Sequence, residues 1–322
     1  SPEKFRENLE YMAQQCELAG VPLWVATRPR TQRSDSSRPF YASKAIERQY
    51  YGDLLATQDG TAIYDTVHRL YTDLQHDITR QHDNAYTCDL SAFIDQLEQR
   101  QLDGQLNSHI KIFREDACHL YEFAEQQMAE FVALTIAPQY RAQIERHIAG
   151  FAYNAQTAHQ LLMEEQPGGA LHYASRAVAA EPSRAHQLAD LNEQAEKNLR
   201  FVKLFHGGRP GTEGEFSAKL AKLRTCLEMR PSDFGVVWQI YRLCIYEDRA
   251  ADVAEMLAPF RPANIADARQ WLSISLESHI IGERLKPAVA TANQLLRIDP
   301  ENKEALVFLT RVRDSLGAIE TN

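Results

Sequence analysis

The stretch Phe113-Arg-Glu-Asp116-Ala-Cys-His119-Leu-Tyr-Glu-Phe-Ala-Glu-Gln-Gln-Met-Ala129-Glu-Phe-Val132 sets an Asp and a His three residues apart at the head of an amphipathic helix. Leu120, Phe123, Ala124, Met128, Phe131 and Val132 recur at helical spacing and form its apolar side. A catalytic imidazole needs a partner that fixes its tautomer and stabilises it once it takes a proton. A carboxylate one turn earlier can reach the nearer ring nitrogen and leave the other free to act as a base. The bland account of the same residues is an N-cap Asp followed by a surface His.

Upstream, Phe5, Leu9, Met12, Cys16 and Ala19 repeat at helical spacing, and Gly20 ends that helix. Val21 to Thr27 is then a short apolar run with Pro22 near its start, as suits a buried strand feeding the loop that opens at Arg28-Pro29-Arg30. A Ser/Arg-rich loop over 30–38 follows, and then a helical region from about Tyr41 to Arg80. Ala85 to Leu90 reads as a second short strand, Ser91 to Asp95 as the start of a helix or turn, and Gln101 to Ser108 as a polar loop. Helices alternating with short buried strands predict a parallel α/β sheet, whose sites lie at the carboxyl ends of the strands.

In this order the helix, the strand with Ala26-Thr27-Arg28-Pro29, the strand ending in Asp89-Leu90 and the Asp116-x-x-His119 block resemble the C-terminal part of an SGNH/GDSL hydrolase. The resemblance covers about residues 3 to 137. It implies part of a flavodoxin-like three-layer sheet and an esterase or related acyltransferase that needs no cofactor or metal. The substrate implied is an acyl or acetyl ester, carbohydrate-linked esters included. His119 would be the base and Asp116 its orienting partner. The family's Gly-Asp-Ser block and its oxyanion-hole Gly and Asn blocks do not occur here; Tyr51-Gly52-Asp53-Leu54 is the nearest echo and lacks the Ser. Those blocks precede the matching part in the family, so the nucleophile is expected upstream of Ser1, in a longer natural polypeptide.

From about Pro138 to Asn322 strand-like runs all but vanish, and the expectation is a second, all-α domain over 138–322 behind an α/β domain over 1–137, with helix dominating overall. Helices are read as ending at Glu181-Pro182, Arg230-Pro231, Arg261-Pro262 and Asp299-Pro300, each followed by polar capping residues. Trp238, Tyr241 and Leu243 ahead of Ala250 and Ala254, and Trp271 ahead of Ala288, hold comparable early-helix positions. The series resembles degenerate tetratricopeptide repeats, which implies a helical solenoid that docks a protein partner. His206 to Gly214 reads as a long flexible connection and carries no phosphate-loop signature.

A formal charge of -9 with scattered basic residues argues against a nucleic-acid partner. No apolar run is long enough to cross a membrane. The five cysteines (16, 88, 118, 226 and 244) are odd in number and scattered, which suits free structural thiols and a reducing compartment such as the cytoplasm. Cys118 is read as a spacer between Asp116 and His119. Asp73, His76 and Asp77, with His82-Asp83 following, could line one helical face as metal ligands, but a solvated polar face is the simpler account. Arg28 and Arg30 stand at the expected active-site edge and could attract an anionic substrate.

Overall fold

A computed structural model describes residues 1–29, 60–113 and 120–320, with side chains from 67 and up to 314 in the two helices at those limits. The expected loop over 30–38, the helical stretch over 41–59 with its Tyr51-Gly52-Asp53 echo, Arg30, and Asp116, Cys118 and His119 lie outside the described residues. The described chain is mostly helical and carries one sheet, of two strands. It divides into two compact units, Ser1–Glu196 and Lys197–Asn322.

In the first unit, helix α1 (Pro2–Leu18) starts as its sequence dictates: Pro2 needs no amide donor in the first turn, and the Ser1 hydroxyl accepts from Lys4 N at 3.3 Å. Strand β1 (Leu23–Ala26) runs parallel to β2 (Ala85–Cys88), in register from Leu23↔Ala85 to Ala26↔Cys88. Helix α2 (Gly60–Gln81) leads into β2. Leu9 and Ala13 of α1, Leu23 and Val25 of β1, Ile78 of α2 and Ala85 of β2 close a small apolar core. Both strands are shorter than their apolar runs. Asp89 cannot extend β2 because its carboxylate accepts from Ala92 N at 3.0 Å and so caps helix α3 (Leu90–Leu102). Helix α3 also takes up Gln101 and Leu102, shortening the polar loop expected there.

Helix α4 (Glu122–Ile136) begins just after the Asp116/His119 block, with Phe123 and Ala124 fully buried. Helices α5 (Arg141–Ala149), α6 (Phe151–Met163) and α7 (Pro167–Ala180) follow. The compact division falls at 196/197 and not at 137/138, for a packing reason. Ile94, Leu97, Ile110, Leu120 and Phe123 share one core with Phe151, Leu161, Tyr173 and Ala177, so residues on both sides of 137 bury each other.

Helix α8 (Ala189–Gly207) starts in the first unit and ends in the second. The second unit continues with α9 (Phe216–Met229), α10 (Phe234–Tyr246), α11 (Val253–Met256), α12 (Ile265–Ile281), α13 (Leu285–Ile298) and α14 (Lys303–Glu320). Leu223, Cys226, Val237, Ile240, Leu243 and Phe260 form one core, and Leu276, Ala292, Leu295 and Ala305 part of another.

Two local devices recur. Glu181, Arg230 and Asp299, each before a Pro, adopt nearly the same backbone (φ -140, -137 and -141°), because the proline ring bars the helical region to the preceding residue. Glu165, Asp248 and Glu283 take a positive φ just past helices α6, α10 and α12. The next amides, Gln166 N, Arg249 N and Arg284 N, then close back onto Leu161 O, Cys244 O and His279 O at 2.8, 2.7 and 2.9 Å. Side-chain caps from Asp233, Asn264 and Asn302 start α10, α12 and α14. The connection after α8 is packed at its start and open further on, where a Cβ on Gly211 or Gly214 would meet nothing. Lys222 Nζ donates to Gly207 O at 3.2 Å, and a Cβ on Gly208 would lie 2.6 Å from Leu223 Cγ.

Candidate functional site

Asp116 and His119 lie outside the described residues, but the residues on either side of them are well defined. Phe113 and Leu120 form an isolated antiparallel bridge, and Tyr121 N donates to Ile112 O at 2.9 Å. The arm before the bridge is braced by Gln101, a buried side chain on α3 whose Nε2 donates to Ile110 O at 2.6 Å and to Asn107 O at 3.1 Å. The two stems of the Asp-x-x-His segment are thereby held side by side, one entering from α3 and the other opening α4.

At the carboxyl ends of β1 and β2 the chain gathers polar groups. The fully buried Thr27 donates its hydroxyl to Asp89 Oδ1 at 2.9 Å and accepts from Ser91 N at 2.9 Å. With Ala92 N on the same oxygen, the Asp89 carboxylate is fixed. Its second oxygen lies 3.4 Å from His76 Nε2 on α2. Gln75 Nε2 donates to Ala26 O at 3.1 Å, and His68 Nε2 lies 2.6 Å from Arg28 O. His76 thus stands within ion-pair reach of a fixed carboxylate, at the sheet edge where α/β proteins carry their sites.

His76 therefore pairs with Asp89 and not with its helix neighbours. Asp77 is engaged by Arg80 at 2.7 Å and approached by Arg6 at 3.9 Å, and His82 lies 3.8 Å from Glu17. Among the described residues no three His, Cys, Asp or Glu side chains come together as a metal site. The four described cysteines are free thiols; burial pushes Cys88 up and raises Cys226 and Cys244 to about 11, which holds all three in the unreactive protonated form near neutrality. Among the described residues no helix is long and apolar enough to cross a membrane.

Behind α4 lies a polar network that the sequence does not announce. Glu130, 11% exposed, accepts from Tyr153 Oη at 3.0 Å, from Tyr173 Oη at 2.7 Å and from Arg176 Nη1 at 3.2 Å. Gln127 Nε2 donates to Tyr173 Oη at 2.6 Å, and the Arg176 guanidinium also caps Ile148 O at 3.1 Å. Burial, followed by the Glu130 charge, pushes Tyr153 up to about 12 and Tyr173 higher still.

Beside this network the ring of His172 meets Phe123 edge-on at 5.4 Å. Burial above all, then Arg176 and Arg100, push His172 down to about 4. The native state thus binds fewer protons than the unfolded chain between pH 4 and 6.5. The contribution is fully present above pH 6.5 and is lost as pH falls toward 4, amounting to about 3 kcal/mol at the ordinary conversion per pK unit. Urea titrations at pH 7 and pH 4.5 should show His172→Gln losing distinctly less stability on acidification than the parent; equal losses would contradict the assignment.

In the second unit an open groove of about 550 Å³ is lined by Trp238, Arg269, Gln270, Ser273, Asp299 and Asn302. Trp238 is 46% exposed and stacks on Tyr241 at 5.3 Å. The half-exposed Arg269 side chain reaches Asp299 only at 4.0 Å. No family model, curated protein or solved structure matches this chain.

Proposed function

We propose that the first unit carries the acid–base half of an SGNH-type serine ester hydrolase acting on acyl or acetyl esters, carbohydrate-linked esters among them. The observation that supports this reading is the Phe113–Leu120 bridge, which pairs the residues on either side of the Asp-x-x-His stretch in a unit that also holds two parallel strands. On this reading His119 takes the proton of a serine hydroxyl as that oxygen attacks the ester carbonyl, then returns it to the leaving alkoxide. Asp116 holds the imidazole in the required tautomer and stabilises its charged form. Water, or a sugar hydroxyl in the transfer variant, then releases the acyl group by the same proton relay. The serine and the oxyanion-hole donors belong to blocks this sequence does not contain, and both are required for rate. The test is a serine-directed fluorophosphonate applied to the protein in its natural full length. One phosphonyl adduct on a Gly-Asp-Ser serine is the expected product; no adduct, together with no turnover of p-nitrophenyl acetate, would overturn the reading.

The Pro-stopped helix ends at Arg230 and Asp299 and the positive-φ turns at Asp248 and Glu283 support a tetratricopeptide-like solenoid in the second unit. The Trp238/Arg269 groove favours a docking role for it, and also the alternative in which the whole chain is a non-catalytic scaffold. Labelling by the phosphonate separates these two, because a scaffold takes none.

A further inference from the structure

The groove of the second unit has walls of three kinds. Trp238 comes from α10, Arg269, Gln270 and Ser273 from α12, and Asp299 and Asn302 from the turn between α13 and α14. Tyr241, one turn on from Trp238, stacks on the indole at an interplanar angle of 28°. The Tyr241 hydroxyl donates to Glu277 Oε2 of α12 at 3.1 Å, which ties two of the walls together. The indole is thus backed by a tethered ring, yet it stays half-exposed along the groove. An aromatic side chain already held in place gives up little freedom when a ligand settles on it.

The polar groups beside this platform are held in position without being used up. Arg269 Nη1 and Asp299 Oδ2 stand 4.0 Å apart, too far for a hydrogen bond. Asn302 Nδ2 donates to Asp299 Oδ2 at 3.2 Å, while Asn302 Oδ1 accepts from Ala305 N at 3.1 Å, so the carboxylate is fixed against the start of α14. Asp299 Oδ1 and the side chains of Gln270 and Ser273 have no hydrogen bond among the described residues. The lining therefore offers donors and acceptors together, with one cation and one anion among its side chains.

That balance selects the ligand. An acidic peptide or a nucleotide brings its anion up against Asp299, and a basic peptide brings its cation up against Arg269. A neutral ligand whose hydroxyls both give and take hydrogen bonds satisfies the two side chains at once. The weakly positive C–H face of a pyranose ring also matches the negative face of an indole. We propose that the Trp238/Arg269 groove is a binding site for neutral saccharides, one sugar ring lying on Trp238 with neighbouring hydroxyls divided between Arg269 and Asp299. Because the groove is open, a sugar within a longer chain can enter it, and an oligosaccharide is the expected ligand. The proposal stands on the groove alone and is independent of the hydrolase reading.

Cellohexaose, chitohexaose, mannohexaose and xylohexaose are titrated calorimetrically into the full chain, with hexagalacturonate as the anionic counterpart. At least one neutral hexasaccharide should bind with a Kd of about 1 mM or tighter. Trp238→Ala should weaken that binding at least about tenfold, and Trp238→Tyr, which keeps a flat ring, should stay within about threefold of the parent. If loss of the indole lowers the melting temperature, Arg269→Ala answers the same question from an exposed position, with at least about a threefold weakening expected. The assignment is overturned if no neutral hexasaccharide binds at a Kd below about 10 mM, or if binding is unchanged in both Trp238→Ala and Arg269→Ala. Tighter binding of hexagalacturonate than of every neutral chain would also overturn it. So would capture of peptides from a synthetic array, lost in Trp238→Ala, by a protein that binds none of the sugars; the groove would then belong to a protein partner.

Discussion

Glu130→Ala should destabilise the first unit by about 3–5 kcal/mol, the cost of leaving a buried charge without its partner. The carboxylate receives two phenols and a guanidinium from two helices, Tyr153 on α6 and Tyr173 and Arg176 on α7, and it is itself only 11% exposed. Truncation strands Arg176 against the Tyr173 ring, 4.8 Å from its centroid, with Ile148 O as its remaining hydrogen-bond partner in this network. It also leaves both phenols without their acceptor. For a unit of this size the loss corresponds to a drop in melting temperature of about 10 °C. Calorimetry of the parent, Glu130→Ala, Arg176→Ala and the double variant forms a cycle that isolates the coupling. Additive single effects would show that the pair is not coupled, and the network would then be mere packing.

His119→Ala in the full-length protein should lower kcat by about 10⁴-fold or more, leaving the residual rate that binding and oxyanion donors supply. Asp116→Asn should also lower kcat by orders of magnitude, because a carboxamide can hold the imidazole in the wrong tautomer. KM should move little in either variant, since neither side chain is needed for ground-state binding. The contrasting control is His76→Gln. It removes an imidazole that lies 3.4 Å from the Asp89 carboxylate but keeps a polar side chain facing it. Normal turnover by His119→Ala would sink the assignment of the base, and a collapse confined to His76→Gln would move that role to the sheet edge.

The parts of the fold legible in the sequence are those fixed by neighbours in the chain. Gly20 takes φ +67° just past α1, as the reading of its helix end requires. The two apolar runs are strands, and helices stop at Glu181-Pro182, Arg230-Pro231 and Asp299-Pro300, with side-chain caps behind the last two; the helix expected to end at Arg261-Pro262 already ends at Met256. What the sequence hides is set by partners far along the chain. Glu130 reads as one more surface residue until Tyr153, Tyr173 and Arg176, 23 to 46 residues on, close over it. His76 sits among Asp73 and Asp77 in the sequence, yet its partner is Asp89, because the β2 carboxyl end and not the α2 surface faces the ring. The change of texture near Pro138 marks where strands stop, and strand content does not report which helices share a core. Of the candidate site, Asp116 and His119 are named by their spacing in the sequence alone, and the bracing of the adjoining arm by Gln101 is not legible there.

The core that runs from Ile94 to Ala195 has a consequence for cooperativity. Because α3, the arm through Ile110 and the first turn of α4 bury their apolar faces on α6 and α7, none of them retains a favourable free energy once those helices detach. The arm through Ile112 and the start of α4 from Leu120 therefore belong to a single melting unit with α6 and α7. These two pieces order or disorder together with those helices, and a local opening at α7 is felt at Ile110 and Phe123 as a change in population rather than as a small displacement.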